Sequence, residues 1–321
     1  MQPASQEARS NDLPKILLYL AAVMVVGALL APQILALATW ASAWLADSES
    51  GVAKWLLDEI ERAHFNRYFN RGVLVAAVVL LWPLVTSLKL NRDLMPSWQP
   101  LGGGGLRWLG GFVLAGGLLL AMGYAFFEAG AYVPATEPRW SKWGNALSAA
   151  LGAGIIEEVF FRGAILGILL RTQRRGVAVF WCTFIFAIVH FLKPPVGWEL
   201  DDADVRWWSG FLVVGQIFKG FGDAQFLIAE FSTLFAVGWV LAWARLRTGQ
   251  LWLSMGLHGG WIFGLKYFSG ITAGSAALGA GEWLPWIGVN LKIGLAPLVM
   301  VLATGWLAVG LMSRRKDQAL G

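Results

Sequence analysis

The feature that most constrains this chain is a group of three ionisable side chains inside one long apolar run. Residues 146–170 are predominantly apolar, yet Glu157, Glu158 and Arg162 lie near the middle of the run. A run of this length can cross a bilayer as a helix. Because ionisable side chains are costly in hydrocarbon, we expect the three to face a bundle interior or a wet cavity and to pair there.

The spacing of these side chains separates their roles. Glu158 and Arg162 are four residues apart, so they share a helix face and are predicted to form an ion pair. Glu157 lies about 100° around the helix from Glu158, and no cation follows it three or four residues later. Glu157 is therefore available for chemistry. The alternative is a salt bridge with a purely structural role beside a protonated Glu157.

Composition places the chain among polytopic membrane proteins. Charged residues make up 14 % of the chain, against about 25 % in soluble domains, and the mean hydropathy is +0.60. We therefore predict an all-α fold, a polytopic membrane helical bundle. The basic residues are spread over short loops, which argues against a nucleic-acid partner. Cys182 is the only cysteine, so an intrachain disulfide and a thiolate metal cluster are excluded.

Apolar runs predict about eight transmembrane helices, and residues 47–72 predict one amphipathic surface helix. The predicted spans are residues 16–45, 73–88, 108–127, 146–170, 176–192, 225–244, 250–269 and 287–312. The predicted regions are a polar N-terminal tail (1–15), two spans with the interfacial helix and a Gly-rich joint (16–107), a membrane domain (108–312) and a basic C-terminal tail (313–321).

Loop charges predict the orientation. Lys and Arg are concentrated after the second, fourth and sixth spans and in the C-terminal tail, whereas the other loops are neutral or acidic. Positively charged loops stay in the cytoplasm. Both termini are therefore predicted to be cytoplasmic, in a multi-pass integral protein of a bacterial inner membrane. Residues 193–224 form a long acidic loop on the other side, which we expect to cover a water-filled mouth facing outward.

Two of the three histidines, His190 and His258, lie inside predicted spans. Together with Glu157 they can handle a water molecule: a carboxylate takes the proton, while a neutral imidazole orients the water or stabilises an oxyanion. Two glycines follow His258 and would let another backbone approach. Imidazole and carboxylate also suit zinc, so Glu157, His190 and His258 are alternatively the ligands of a metal. No His-Glu-x-x-His pair is present, and we favour chemistry without a cofactor.

The order of these motifs resembles a known family. Glu157-Glu158-x-x-x-Arg162, Phe186-x-x-x-His190 and then His258 are similar to the motifs of the CPBP family, the CAAX-processing and bacteriocin-processing (Abi) intramembrane endopeptidases. The resemblance covers residues 145–265. It implies hydrolysis of a peptide bond in a membrane-associated or exported substrate. It also implies Glu157 as catalytic base, His190 as its partner on the water, His258 as oxyanion donor, and support from Glu158, Arg162 and Phe186.

One departure from the family pattern concerns the residue four positions after His258. The family usually has Asn or Asp there, and this chain has Ile262. Asn290, in the last predicted span, and the indole N–H of Trp261 are possible substitutes. The departure leaves open a catalytically silent relative that acts in bacteriocin immunity or as a scaffold. A proton-coupled transporter is a further alternative, although we find no internal repeat. The expected partners are a peptide or protein substrate and the lipid bilayer.

Overall fold

A computed structural model describes residues 12–88, 104–138, 143–195, 197–222 and 226–313. The basic C-terminal tail, most of the polar N-terminal tail and the first part of the Gly-rich joint lie outside these residues. The helices are α1 (Asp12–Leu45), α2 (Gly51–Glu61), α3 (Phe65–Ser87), α4 (Gly104–Glu128), α5 (Trp143–Glu158), α6 (Leu166–Thr172), α7 (Arg175–Val189), α8 (Ser209–Gly220), α9 (Ser232–Thr248), α10 (Trp252–Ile271), α11 (Ala276–Gly279) and α12 (Leu295–Ser313). Strands β1 (Tyr132–Pro134) and β2 (Thr272–Gly274) form one antiparallel pair.

The predicted all-α polytopic bundle is confirmed. Five described helical segments are long and apolar enough to cross a membrane by length and composition. They are α1, α3, α4, Ile228–Thr248 and Leu295–Met312. Three more apolar helices match the remaining predicted spans: α5 continued through a π-helical segment into α6, the shorter α7, and α10.

A first compact unit combines Met1–Asn91 with His190–Asp223. Helix α1 packs along α3 and α8, and Gly210 of α8 lies so close to α1 that a Cβ there would overlap the carbonyl of Ala28. The buried core of this unit contains Met24, Ala28, Ala31, Leu35, Ala63, Phe65, Tyr68, Phe69, Val213 and Ile217. The expected lid loop 193–224 therefore contains a helix packed into the core of this unit, and the prediction of a simple loop is wrong.

The boundary of the predicted surface helix also differs from the structure. The amphipathic helix α2 ends at Glu61, and α3 begins at Phe65 rather than at residue 73. The reason is packing, because Phe65, Tyr68 and Phe69 are buried on one face. The polar residues between them occupy the opposite face. The segment therefore has an amphipathic sequence, although it forms the first turns of a spanning helix.

A second compact unit combines Arg92–Val189 with Ala224–Gly321. Helix α10 lies at its centre and packs against α4, α5 and α9. Beyond the end of α10, β2 pairs with β1, and the Tyr132 hydroxyl donates a 2.7 Å hydrogen bond to the carbonyl of Gly288. Burial raises the pKa of Tyr132. These contacts fix β1 beside the segment that follows α10.

Candidate active site

Close helix packing positions the site. Gly154 of α5 faces Gly259 of α10, and a Cβ at residue 154 would lie 3.1 Å from the Gly259 nitrogen. On the next face of α10, a Cβ at Gly260 would overlap the carbonyl oxygen of Phe112 in α4. The expectation that the glycines after His258 let other backbones approach is thus confirmed. Because side chains larger than hydrogen would separate these helices, the glycines set the register of α10 against α5.

The ion pair predicted from spacing is present and fully buried. Arg162 Nη1 lies 2.7 Å from Glu158 Oε1, and both side chains have 0 % exposure. The second guanidinium nitrogen, Nη2, donates to the carbonyl of Gly238 in α9 at 3.1 Å. Glu158 is the last residue of α5, and Arg162 lies within the π-helical segment Val159–Ile165. Single π-helical turns are rare and occur often at functional sites.

His258 lies between the two adjacent carboxylates. Its Nδ1 atom is 2.9 Å from Glu158 Oε1, and its Nε2 atom is 3.8 Å from Glu157 Oε2. The His258 side chain is 6 % exposed and that of Glu157 is 30 % exposed. The cluster therefore has a buried side, formed by Glu158 and Arg162, and a more accessible side, formed by Glu157.

Aromatic rings enclose the buried side of the cluster. The Phe186 ring lies under the Arg162 guanidinium, with its centroid 4.1 Å from Cζ, and meets the His258 ring edge to face at 5.7 Å. Phe161 contacts the same guanidinium from 5.8 Å. Phe186 thus contacts both Arg162 and His258, and its supporting role stays a prediction. Sequence reasoning missed Phe161, although its place beside Arg162 was a possible signal, and it missed Gly238, for which no signal exists.

Two other predicted site residues have different surroundings. His190 directly follows α7 and is grouped with the first compact unit, so its convergence with Glu157 and His258 stays a prediction. Asn290 lies in a turn before α12, which begins at Leu295, so its assignment to the interior of a span is wrong. Its Oδ1 accepts the backbone N–H of Lys292 at 3.1 Å.

The position of this turn argues against Asn290 as an oxyanion donor. The neighbouring Leu291 packs beside Phe268, since both side chains line the space next to Gly123. Phe268 is ten residues beyond His258 on α10, which is about 15 Å along a helix. Asn290 is therefore held near the far end of α10.

Trp261 remains near the cluster. It lies three residues after His258 on α10, so the two side chains are neighbours on the helix surface. Trp261 is 6 % exposed, and its indole N–H is buried without a hydrogen-bond acceptor in the described part of the chain. Buried N–H groups are rarely left without an acceptor, and the role of Trp261 stays a prediction.

The described residues give little support to a metal centre. Within them, no group of three or more His, Cys, Asp or Glu side chains is arranged to hold a metal ion. A catalytic zinc site usually has three protein ligands. We therefore derive no step through zinc, and the ligand set Glu157, His190 and His258 stays a prediction.

Comparison with known proteins agrees with the motifs. Residues 139–264 match the family model described as type II CAAX prenyl endopeptidase Rce1-like. The match spans 126 of the 321 residues and contains all the motif residues of the cluster. A search of curated proteins and a search of solved structures found no match. Residues 139–264 of this integral membrane protein are therefore similar to the CAAX endopeptidase family, as the motifs predicted.

Proposed function

We propose that the chain is an intramembrane endopeptidase that hydrolyses a peptide bond with a water molecule activated by Glu157 and His258. The observation that carries the proposal is the position of His258, whose two ring nitrogens face two different carboxylates. Glu158 is paired with Arg162 and fixes the orientation of the His258 ring. Glu157 is partly exposed and can contact a substrate.

The contacts of Glu158 indicate which ring nitrogen of His258 is a donor. Because Glu158 Oε1 accepts from the permanently charged Arg162, Glu158 is an ionised acceptor. His258 Nδ1 must then be the donor in the 2.9 Å hydrogen bond. In the neutral ring, Nε2 is left as an acceptor that faces Glu157. This assignment differs from the oxyanion-donor role that the resemblance implies for His258.

A water molecule can bridge two acceptors that face each other, because it has two O–H donors. A water within about 2.8 Å of both Glu157 Oε2 and His258 Nε2 would sit beside the 3.8 Å line that joins them. Both of its O–H groups then point at acceptors, so its oxygen lone pairs are directed at the substrate. This arrangement raises the nucleophilicity of the water.

The proton balance follows from the charges of the cluster. Glu157, Glu158 and Arg162 sum to one negative charge when His258 is neutral. As the water oxygen bonds to the scissile carbonyl carbon, one water proton passes to Glu157 and the cluster becomes neutral. When the C–N bond breaks, Glu157 returns that proton to the leaving amine nitrogen.

The negative oxygen of the tetrahedral intermediate also needs donors. We assign one of them to the indole N–H of Trp261, which is buried and has no acceptor among the described residues. A donor aimed at the developing charge contributes to the rate only when it is held in place beforehand. Trp261 meets that condition through its burial, and it compensates for Ile262 at the family's Asn position. His190 is the second candidate for contact with the water or the oxyanion.

The substrate class follows from the family and the orientation. The matched family is named for CAAX prenyl endopeptidases, and we propose a membrane-associated or exported peptide for this chain. The loop charges predict that the end of α10 lies at the non-cytoplasmic face. Access from that face suits an exported substrate better than a cytosolic CAAX protein.

The test is peptide cleavage by the full-length protein in detergent. A peptide library of randomised sequence is incubated with the wild type, Glu157→Ala and the matched control Glu230→Ala, and products are identified by mass spectrometry. Glu230 is a carboxylate of another apolar helical segment, Ile228–Thr248. Cleavage by the wild type and the control, and none by Glu157→Ala, supports the proposal. Equal cleavage by Glu157→Ala, or none by the wild type, contradicts it.

A further inference from the structure

A cavity of about 520 Å³ is lined by residues at the start of α5, at the end of α10 and in the loop after β1. Its volume is within the range of small-ligand sites. The walls carry groups that bind peptides: an ammonium, a carboxylate, an amide and a hydroxyl. The lining residues are Ala135, Glu137, Asn145, Ala146, Leu265, Lys266, Ser269 and Gly270.

The cavity wall is held in place by backbone hydrogen bonds. The Ala135 N–H donates to the carbonyl of Ile271 at 3.0 Å. Directly before it, Pro134 of β1 pairs with Thr272 of β2. The loop that carries Glu137 is therefore anchored to the end of α10 at a defined level.

Distances along α10 give the separation of each charged group from the proposed catalytic water. Lys266 is eight residues beyond His258, or about 12 Å along the helix. Ile271, which marks the level of the Glu137 loop, is 13 residues beyond His258, or about 20 Å. An extended peptide advances about 3.3 Å per residue. A substrate strand that extends along α10 from the proposed water to this cavity would meet Lys266 three or four residues from the scissile bond, and Glu137 about six residues from it.

The cavity lies mostly outside the part of the chain that resembles the family. The family match ends at residue 264 and begins at residue 139. Of the lining residues, only Asn145 and Ala146 fall within it. Most of the lining residues, Lys266 and Glu137 among them, therefore lie outside the matched segment.

We propose that this cavity is a substrate subsite in which Lys266 selects an acidic residue three or four positions from the scissile bond. The proposal rests on the peptidase function and deepens it by naming the substrate class. Lys266 and Glu137 both line the cavity, and no ion pair joins them among the described residues. The ammonium group of Lys266 can therefore pair with a carboxylate of the substrate.

The experiment compares the sequences that are cleaved by the wild type, Lys266→Glu and the matched control Glu137→Lys. A library of ten-residue peptides with randomised positions is the probe. For the wild type we expect Asp and Glu to be enriched three or four residues from the cleaved bond. Lys266→Glu should favour Lys and Arg at that position, with a change in kcat/KM of roughly two- to thirtyfold for a matched peptide pair, because reversal replaces an exposed ion pair by a repulsion.

Measurements at high salt and with the control variant test whether the preference comes from an ion pair with Lys266. The preference should fade in high salt, since screening weakens pairs of exposed charges. Glu137→Lys should keep the acidic preference of the near position and change only the position about six residues away. An acidic preference that persists in Lys266→Glu would overturn the proposal.

A binding measurement separates this subsite from the peptidase function. The same library is passed over immobilised Glu157→Ala protein with and without Lys266→Glu, and retained peptides are identified by mass spectrometry. Retention of acidic peptides that depends on Lys266 supports the subsite even if no peptide is cleaved by the wild type. Retention that is the same with and without Lys266 overturns it, whatever the outcome of the cleavage assay.

Discussion

Removing the Arg162 side chain should destabilise the protein strongly. Arg162 pairs with Glu158 at 2.7 Å, donates to Gly238 and lies over the Phe186 ring. Arg162→Ala leaves the carboxylate of Glu158 buried without its cation. Breaking a buried ion pair from one side costs about 3–5 kcal/mol, and loss of a desolvated cation–π contact adds up to about 2 kcal/mol.

The matched control is an ion pair with the same spacing and little burial. Arg62 and Asp58 are also four residues apart, with 2.9 Å between the charged atoms and exposures of 66 % and 48 %. Arg62→Ala should cost only about 0.2–1 kcal/mol. The contrast between the two arginines compares a buried site with an exposed one, because both are replaced by Ala and both pairs have a spacing of four residues.

The assay is equilibrium unfolding in detergent micelles, followed by tryptophan fluorescence. Arg162→Ala should lower the free energy of unfolding by several kcal/mol more than Arg62→Ala. The double variant Arg162→Met with Glu158→Gln should recover part of the loss, because no unpaired charge remains buried. If Arg162→Ala unfolds like the wild type, or if the double variant loses the sum of both single losses, the buried pair does not have the role assigned to it.

The remaining predictions concern the oxyanion donor, the helix register and the cofactor. Trp261→Phe should lower kcat by about 100- to 1,000-fold, as expected for loss of one oxyanion donor, while KM changes little; an unchanged kcat in steady-state assays would refute this role. Gly256→Ala should lower thermal stability because its Cβ would overlap the Trp108 carbonyl, whereas Gly117→Ala on α4 has open space and should not; equal melting temperatures would contradict this packing. Incubation with a strong zinc chelator should leave cleavage unchanged, and a loss that added zinc reverses would show that a metal takes part.

Short-range features of the site could be predicted from the sequence. The Glu158–Arg162 pair follows from a spacing of four residues, and the structure has it at 2.7 Å. The place of His258 between both carboxylates could not be predicted, because it depends on the register of α10 against α5. That register is set by the contact of Gly154 with Gly259, which are far apart in the sequence.

The limits of the spans were harder to predict than their existence. Hydropathy located the apolar helices, but α3 begins at Phe65 because its first turns are buried in packing against other helices. At the other end of the chain, α12 begins only at Leu295. Gly294 has a φ of 120°, which helical residues do not adopt, and the apolar residues before it form a turn. Helix α8 escaped prediction because acidic residues and tryptophans flank its short apolar core.

The central claim is that Glu157 and His258 activate one water as a unit, and a double-mutant cycle tests it most directly. The measurement is kcat for a cleaved library peptide with the wild type, Glu157→Gln, His258→Ala and the double variant. If the two residues act on the same water, each single variant and the double variant should fall to the same residual rate. Losses that multiply in the double variant, or a Glu157→Gln variant that keeps the wild-type rate, would contradict the claim.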